Sequence, residues 1–217
     1  MELSGKKILF LGDSITYGAG VADPNNVFPA RIARMTGAVT RNYGISGTRI
    51  ARQRKPSNDQ WDQNFCDRVE KMDADADIVV VFGGTNDYGH GDAPFGSDIC
   101  RTPDTFCGAL HTLYTKLIEK YPTAVIAVLT PLHRLNEGGH EVNELGVPNG
   151  RPLSDYVAAI RHVAEEYSLP VLDLYAGGGI QPSIDAQRAA LCPDGLHPND
   201  AGHERLARRI IAFLETL

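Results

Sequence analysis

Lys7-Ile8-Leu9-Phe10-Leu11-Gly12-Asp13-Ser14-Ile15-Thr16 is an apolar run cut short by three turn-forming residues. A continuous apolar run this close to the start, ended by Gly-Asp, predicts a buried parallel strand over Lys7–Leu11 that enters a loop. Ligands of open parallel sheets sit beyond the carboxyl ends of the strands, so Ser14 stands where a nucleophile would be useful. Asp13 and Ser14 are equally at home in a turn, bonding nearby amides through their short side chains. Three later motifs decide between these readings.

Strand-like runs recur at Val39–Tyr43, Ile78–Phe82, Ala124–Leu129 and Pro170–Leu174. Ile78-Val79-Val80-Val81-Phe82 has no polar member, as expected of a strand covered on both faces. Helical spacing fills the intervals: Phe106, Leu110, Leu113 and Leu117; Leu153, Tyr156, Ile160, Val163 and Tyr167; Leu206, Ile210, Phe213 and Leu214. Strands alternating with helices predict an α/β fold, a three-layer α/β/α sandwich on a flavodoxin-like five-stranded parallel sheet. An eight-stranded barrel would need more strands and about 250 residues. With 217 residues and no repeat or Gly/Ser/Pro-rich linker, residues 1–217 are expected to form a single domain.

The composition, 42% hydrophobic and 22% charged, is that of a globular chain, and the net charge of -6 speaks against nucleic acid as a partner. Arg49, Arg52, Arg54 and Lys55 form a basic cluster without interleaved aromatic residues, which reads as a solvated loop face. No secretory leader or run long enough to span a bilayer is visible, so a cytoplasmic protein is expected. Cys66, Cys100, Cys107 and Cys192 contain no CxxC pair. Cys100 and Cys107 are near enough in one loop to pair, yet free thiols are expected in that compartment.

The second motif, Asn42-Tyr43-Gly44-Ile45-Ser46-Gly47-Thr48, follows the second strand. Its glycines allow a tight turn and leave the Gly47 N–H as a plausible anion donor. The third, Phe82-Gly83-Gly84-Thr85-Asn86-Asp87, ends the most apolar strand and offers the Asn86 amide to a developing oxyanion. The fourth is Asp194-Gly195-Leu196-His197-Pro198-Asn199. There the carboxylate can accept the imidazole Nδ1–H and leave Nε2 as a base, while Pro198 holds His197 out of the helical region. A nucleophile, oxyanion donors and an oriented base in this order are what acyl transfer requires.

These four blocks resemble the SGNH, or GDSL-like, lipase/acylhydrolase family. They read Gly12-Asp13-Ser14, Gly47, Gly84-Thr85-Asn86-Asp87 and Asp194-Gly195-Leu196-His197, with Ile15 where the name motif has Leu. The resemblance implies a serine esterase with Ser14 as nucleophile, His197 as general base and Asp194 orienting it. It also implies an oxyanion hole from the Ser14 and Gly47 amides and the Asn86 side chain, with no metal or organic cofactor.

The expected substrate is a small-molecule ester, a short acyl group on a sugar. The connections 87–103 and 131–152 are long and carry Gly and polar residues such as Asn136, Glu137, Asn143 and Asn149. Lysophospholipase or thioesterase action on longer chains is the alternative. A non-catalytic acyl- or sugar-binding module on the same fold would be expected to have lost Ser14 or His197. Asp13, His90 and His133 are assigned to substrate contact; His111, His140 and His162 read as surface or internally satisfied residues. Oligomeric state is not encoded in any pattern of the chain.

The G-x-S-x-G elbow fails because Thr48 stands where the last glycine belongs, and Ser14 breaks a G-x-G-x-x-G fingerprint. His203-Glu204 begins like a zinc motif, but Ala207 replaces its second histidine.

Overall fold

Alternation along the strands divides the core in two. The structure, a computed structural model, describes residues 1–55, 57–143 and 146–217; the side chains of His140, Glu141 and Asn149 fall outside that description, and with them the readings of His140 and Asn149. The strands are β1 (Lys7–Gly12), β2 (Val39–Gly44), β3 (Ile78–Phe82), β4 (Val125–Leu129), the short pair β5 (His140–Val142) and β6 (Pro148–Asn149), and β7 (Val171–Leu172). Five of them form one all-parallel sheet in the order β2-β1-β3-β4-β7; β5 and β6 make an antiparallel hairpin in the connection after β4.

The helices are α1 (Ser14–Tyr17), α2 (Phe28–Thr36), α3 (Phe65–Arg68), α4 (Thr85–His90), α5 (Phe106–Lys120), α6 (Leu153–Glu166), α7 (Leu174–Gly177), α8 (Asp185–Leu191) and α9 (Asp200–Glu215). Leu9, Leu11, Val79, Val81, Ile126 and Val128 point to the layer holding α3, α5 and α6. Their neighbours Ile8, Phe10, Ile78, Val80, Phe82 and Leu129 point to the layer holding α2 and α9. A strand buried on both faces has no polar face to show, hence the unbroken apolar run of β3. The expected three-layer α/β/α architecture is therefore the one adopted.

Two expectations need correction. The fifth strand is only Val171–Leu172, because Asp173 accepts the Ala176 N–H at 3.0 Å and turns the chain into α7 at Leu174. The basic cluster is not one solvated face. Arg52, Arg54 and Lys55 are exposed, but Arg49 is 1% exposed and donates to Ser57 Oγ, Asp62 Oδ1 and His90 Nδ1 at 3.1, 2.9 and 2.9 Å. A buried guanidinium persists only when paired, and its partners lie in two segments, the loop between β2 and α3 and helix α4.

All four described cysteines are free thiols. Among the described residues, no helix is long and apolar enough to cross a membrane.

Candidate active site

Ser14 is the first residue of α1, immediately past the end of β1. Asp13 caps that helix, its carboxylate accepting the Ile15 N–H at 3.0 Å, and the turn ends at Gly18. The cap leaves the Ser14 N–H without an acceptor among the described residues, as expected at the start of a helix. Asp13 is 2% exposed, and burial pushes its carboxyl up to about 6 in spite of the Ile15 N–H. Of the two oxygens of Asp13, where substrate contact is expected, Oδ1 is engaged on the protein's own backbone.

His197 arrives from the other end of the chain. Its Nε2 lies 3.0 Å from Ser14 Oγ, and its Nδ1 lies 2.7 Å from Asp194 Oδ2. The second carboxylate oxygen, Oδ1, accepts the Leu196 and His197 N–H groups at 2.9 and 2.7 Å. The carboxylate is thus held from both sides. Partial burial raises the Asp194 pKa, but these backbone donors and the imidazole outweigh it and keep the carboxyl below its ordinary range. With Nδ1 facing a carboxylate, the imidazole donates from Nδ1 and accepts at Nε2. Asn199 then opens α9 by accepting the Ala201 and Gly202 N–H groups.

Gly47 follows β2 with φ +78°, a conformation that glycine tolerates best. A Cβ there would also fall 2.2 Å from the Trp61 ring, so the indole lies directly against its backbone. At Gly44 a Cβ would strike the Tyr17 N at 2.2 Å, which is how the end of β2 comes against α1. Asn42 seals that approach by donating to Thr16 O at 2.7 Å. The Gly47 N–H, like that of Ser14, has no acceptor among the described residues. Asn86, buried in α4, donates from Nδ2 to Thr48 O at 3.0 Å, which ties it to the residue after Gly47.

Two further charged residues hold this arrangement, Arg68, which no local pattern marked, and Asp87, the last residue of the third motif. Arg68, 3% exposed, donates to Gly12 O and Thr48 Oγ1 at 3.0 and 2.9 Å and to Tyr43 O, bridging the segments that carry Ser14 and Gly47. Burial draws its pKa down to about 10 although Asp13 opposes this. Asp87 accepts the Ile50 and Ala51 N–H groups, both at 2.9 Å, and so locks the loop after β2 onto α4. Burial pushes its carboxyl up to about 6.

The remaining expected contacts separate. His90 lies one helical turn after Asn86, on the same face of α4, with its ring 4.6 Å from that of Trp61. Burial and then the Arg49 charge push its pKa down to about 4. His133, on the connection after β4, bonds both Glu137 oxygens at 2.9 Å and packs 3.9 Å from the Tyr175 ring.

The GDSL-like Lipase/Acylhydrolase family profile matches residues 10–205. The chain belongs to this family. As a GDSL-like acylhydrolase it is an ester-hydrolysing serine hydrolase. It is 28% identical over 221 residues to an acetylxylan esterase of Geobacillus stearothermophilus, covering 99% of this chain and 94% of that protein. A crystal structure from Lactobacillus plantarum superposes with TM-score 0.83 at 35% identity and 98% coverage of both chains. A variant of an acetyl-xylooligosaccharide esterase from Geobacillus shares the fold, with TM-score 0.61 at 24% identity, over 99% of this GDSL-like chain and 96% of that one.

Proposed function

We propose that this acylhydrolase removes short acyl groups, acetyl first among them, from hydroxyls of carbohydrate esters through an acyl-enzyme on Ser14. The observation that carries the reading is the unbroken chain Ser14 Oγ, His197 Nε2, His197 Nδ1, Asp194 Oδ2, with links of 3.0 and 2.7 Å. The resemblance to an acetylxylan esterase supports the sugar ester as substrate.

Ser14 Oγ attacks the acyl carbon as its proton passes to His197 Nε2, and the carbonyl electron pair moves onto oxygen. That oxyanion is received by the Ser14 and Gly47 N–H groups and the second Asn86 Nδ2–H. Collapse expels the sugar alkoxide, which takes the proton from Nε2. Water, deprotonated in turn by His197, releases the carboxylic acid and restores Ser14. Asp194 keeps Nδ1–H directed at its own oxygen throughout and stabilises the imidazolium formed in each half.

The test is Ser14→Ala assayed on acetylated xylo-oligosaccharide by acetate release. A fall in kcat of about 10⁴–10⁶ is expected; turnover like that of the wild type overturns the mechanism. In the wild type, activity should fall from acetyl to decanoyl esters of one alcohol, and the opposite order would place the enzyme among lipid hydrolases.

A further inference from the structure

A cavity of about 450 Å³ is lined in part by His90, which lies one helical turn after Asn86 on α4, and three cations line it against one acid. Arg49, Arg54 and Lys55 border it, together with Gln53, Ser57 and His90. Asp92 is the acid on its rim, and its two oxygens are engaged by the Arg54 and Lys55 N–H groups at 2.7 and 2.8 Å. That contact curls the loop so that two exposed cationic side chains stand at the opening. Arg49 forms the floor, fixed by Asp62, Ser57 and His90.

The Arg49–His90 contact also fixes the state of the imidazole. Arginine can only donate, so His90 Nδ1 must accept, and a neutral ring then carries its hydrogen on Nε2. His90 thus brings an N–H donor to a lining whose acid is Asp92. The place of the cavity matters as much as its charge. His90 is one turn from Asn86 on α4, and Trp61 packs on both His90 and Gly47. A substrate whose ester carbonyl faces Asn86 and Gly47 therefore has its neighbouring sugar positions beside the cavity. A second hollow of about 370 Å³ shares Arg54 and Asp92 with the first and brings Arg151, packed 4.3 Å over Phe95.

We propose that this cavity is a subsite for a carboxylate on the alcohol part of the ester, making acylated acidic sugars, of the uronic acid type, the preferred substrates. The proposal rests on the carbohydrate-esterase reading above and narrows it. A planar carboxylate matches a buried, immobilised guanidinium flanked by two exposed cations and a neutral N–H donor. Arg49 is already paired with Asp62, but Arg54 and Lys55 share a single lining acid, Asp92, whose oxygens hold backbone N–H groups, so a neutral sugar would leave that excess of positive charge unmatched.

The test compares a methyl O-acetyl-glucuronoside with the matching neutral methyl O-acetyl-glucoside. Calorimetric binding to Ser14→Ala protein, which keeps both esters intact, should favour the uronide by about ten-fold or more, the weight of one charge-assisted hydrogen bond. Raised salt should shrink that preference, since part of the site is open to solvent. Adding Arg54→Gln and Lys55→Gln, both at exposed positions, should abolish it with the circular dichroism spectrum unchanged. Equal affinity for the two ligands overturns the proposal, as does a preference that survives the double substitution. Displacement of the uronide by an equal concentration of inorganic phosphate would reveal a general anion site and overturn the assignment to a sugar acid. With wild-type enzyme, equal kcat/KM on both esters sinks the subsite and leaves the esterase standing. Hydrolysis of neither sinks the esterase reading, while calorimetry still decides the subsite.

Discussion

Asn86 carries two amide hydrogens, and Thr48 O already occupies one of them. The internal bond fixes the plane of the amide, so in the proposed mechanism the second hydrogen would meet the oxyanion without a rotamer search. Asn86→Ala should lower kcat by about 10²–10³ and leave KM nearly unchanged; steady-state kinetics on an acetyl ester decide it, and a loss confined to KM would make Asn86 a ground-state contact. Arg68 acts at one remove. It joins Gly12 O, Tyr43 O and Thr48 Oγ1, so its loss frees the end of β1 and the loop carrying Gly47 at the same time. Arg68→Met removes a buried cation and leaves buried acceptors unmatched, each at a cost of about 1–3 kcal/mol. The expected result is a lower urea midpoint together with a kcat reduced more than KM is raised. An unchanged kcat in protein that remains folded would show that Arg68 serves stability alone.

Among the elements, α9 couples the core to the chemistry. Its inward stripe, Leu206, Ala207, Ile210 and Leu214, is fully buried against α2 and the sheet, while its N-cap, Asn199, lies two residues after His197. A loosened stripe would let that N-terminus, and the imidazole with it, wander by more than the 3.0 Å bond to Ser14 tolerates. Leu206→Ala should cost about 2–5 kcal/mol, the range for a buried leucine replaced by alanine. Equilibrium urea denaturation measures this; a loss below about 1 kcal/mol would mean the layer repacks around the cavity. The capping interactions are local and legible. Asp13, Thr105 and Asn199 each accept helix N–H groups from the position their side chains favour. Less local is Phe28, stacked on His203 and edge-on to Phe10 and Phe82, which fixes how α2 lies against α9 and the sheet.

Across the whole molecule, four buried groups pull stability in opposite directions with pH. Burial holds His90 and His203 down at about 4, and holds Asp13 and Asp87 up at about 6. As pH falls from 6.5 towards 4, the unfolded chain protonates both histidines and the folded one does not, so stability drops. Between about 6 and 4 the folded chain protonates both aspartates before the unfolded one does, so stability rises. The pairs offset, and the wild type should be nearly flat between pH 6 and 4. Below about 4 it should lose stability, as Asp62, Asp73, Asp77 and Asp194, held low in the folded state, are protonated. His90→Gln with His203→Gln removes the falling contribution, so the variant should gain stability from pH 7 to pH 5; urea midpoints across that range check it, and a flat profile in the variant refutes the balance. The sheet, its flanking helices and the motif residues were legible because each rests on backbone periodicity or a turn preference within a few residues. The short β7 was over-read because Asp173 caps a helix where the apolar run continues. Arg49 was misread as solvated, Arg68 went unmarked and Asp87 was quoted in its motif without a role, because a charged side chain looks the same in sequence whether water or a buried partner surrounds it. By itself the sequence determined which groups were available and at which edge of the sheet they would emerge. Only the tertiary structure decided which of them meet, bringing Ser14 and His197 together across 183 residues and setting Arg49 beside His90, because desolvation and hydrogen-bond partners depend on distance in space, which chain order does not record.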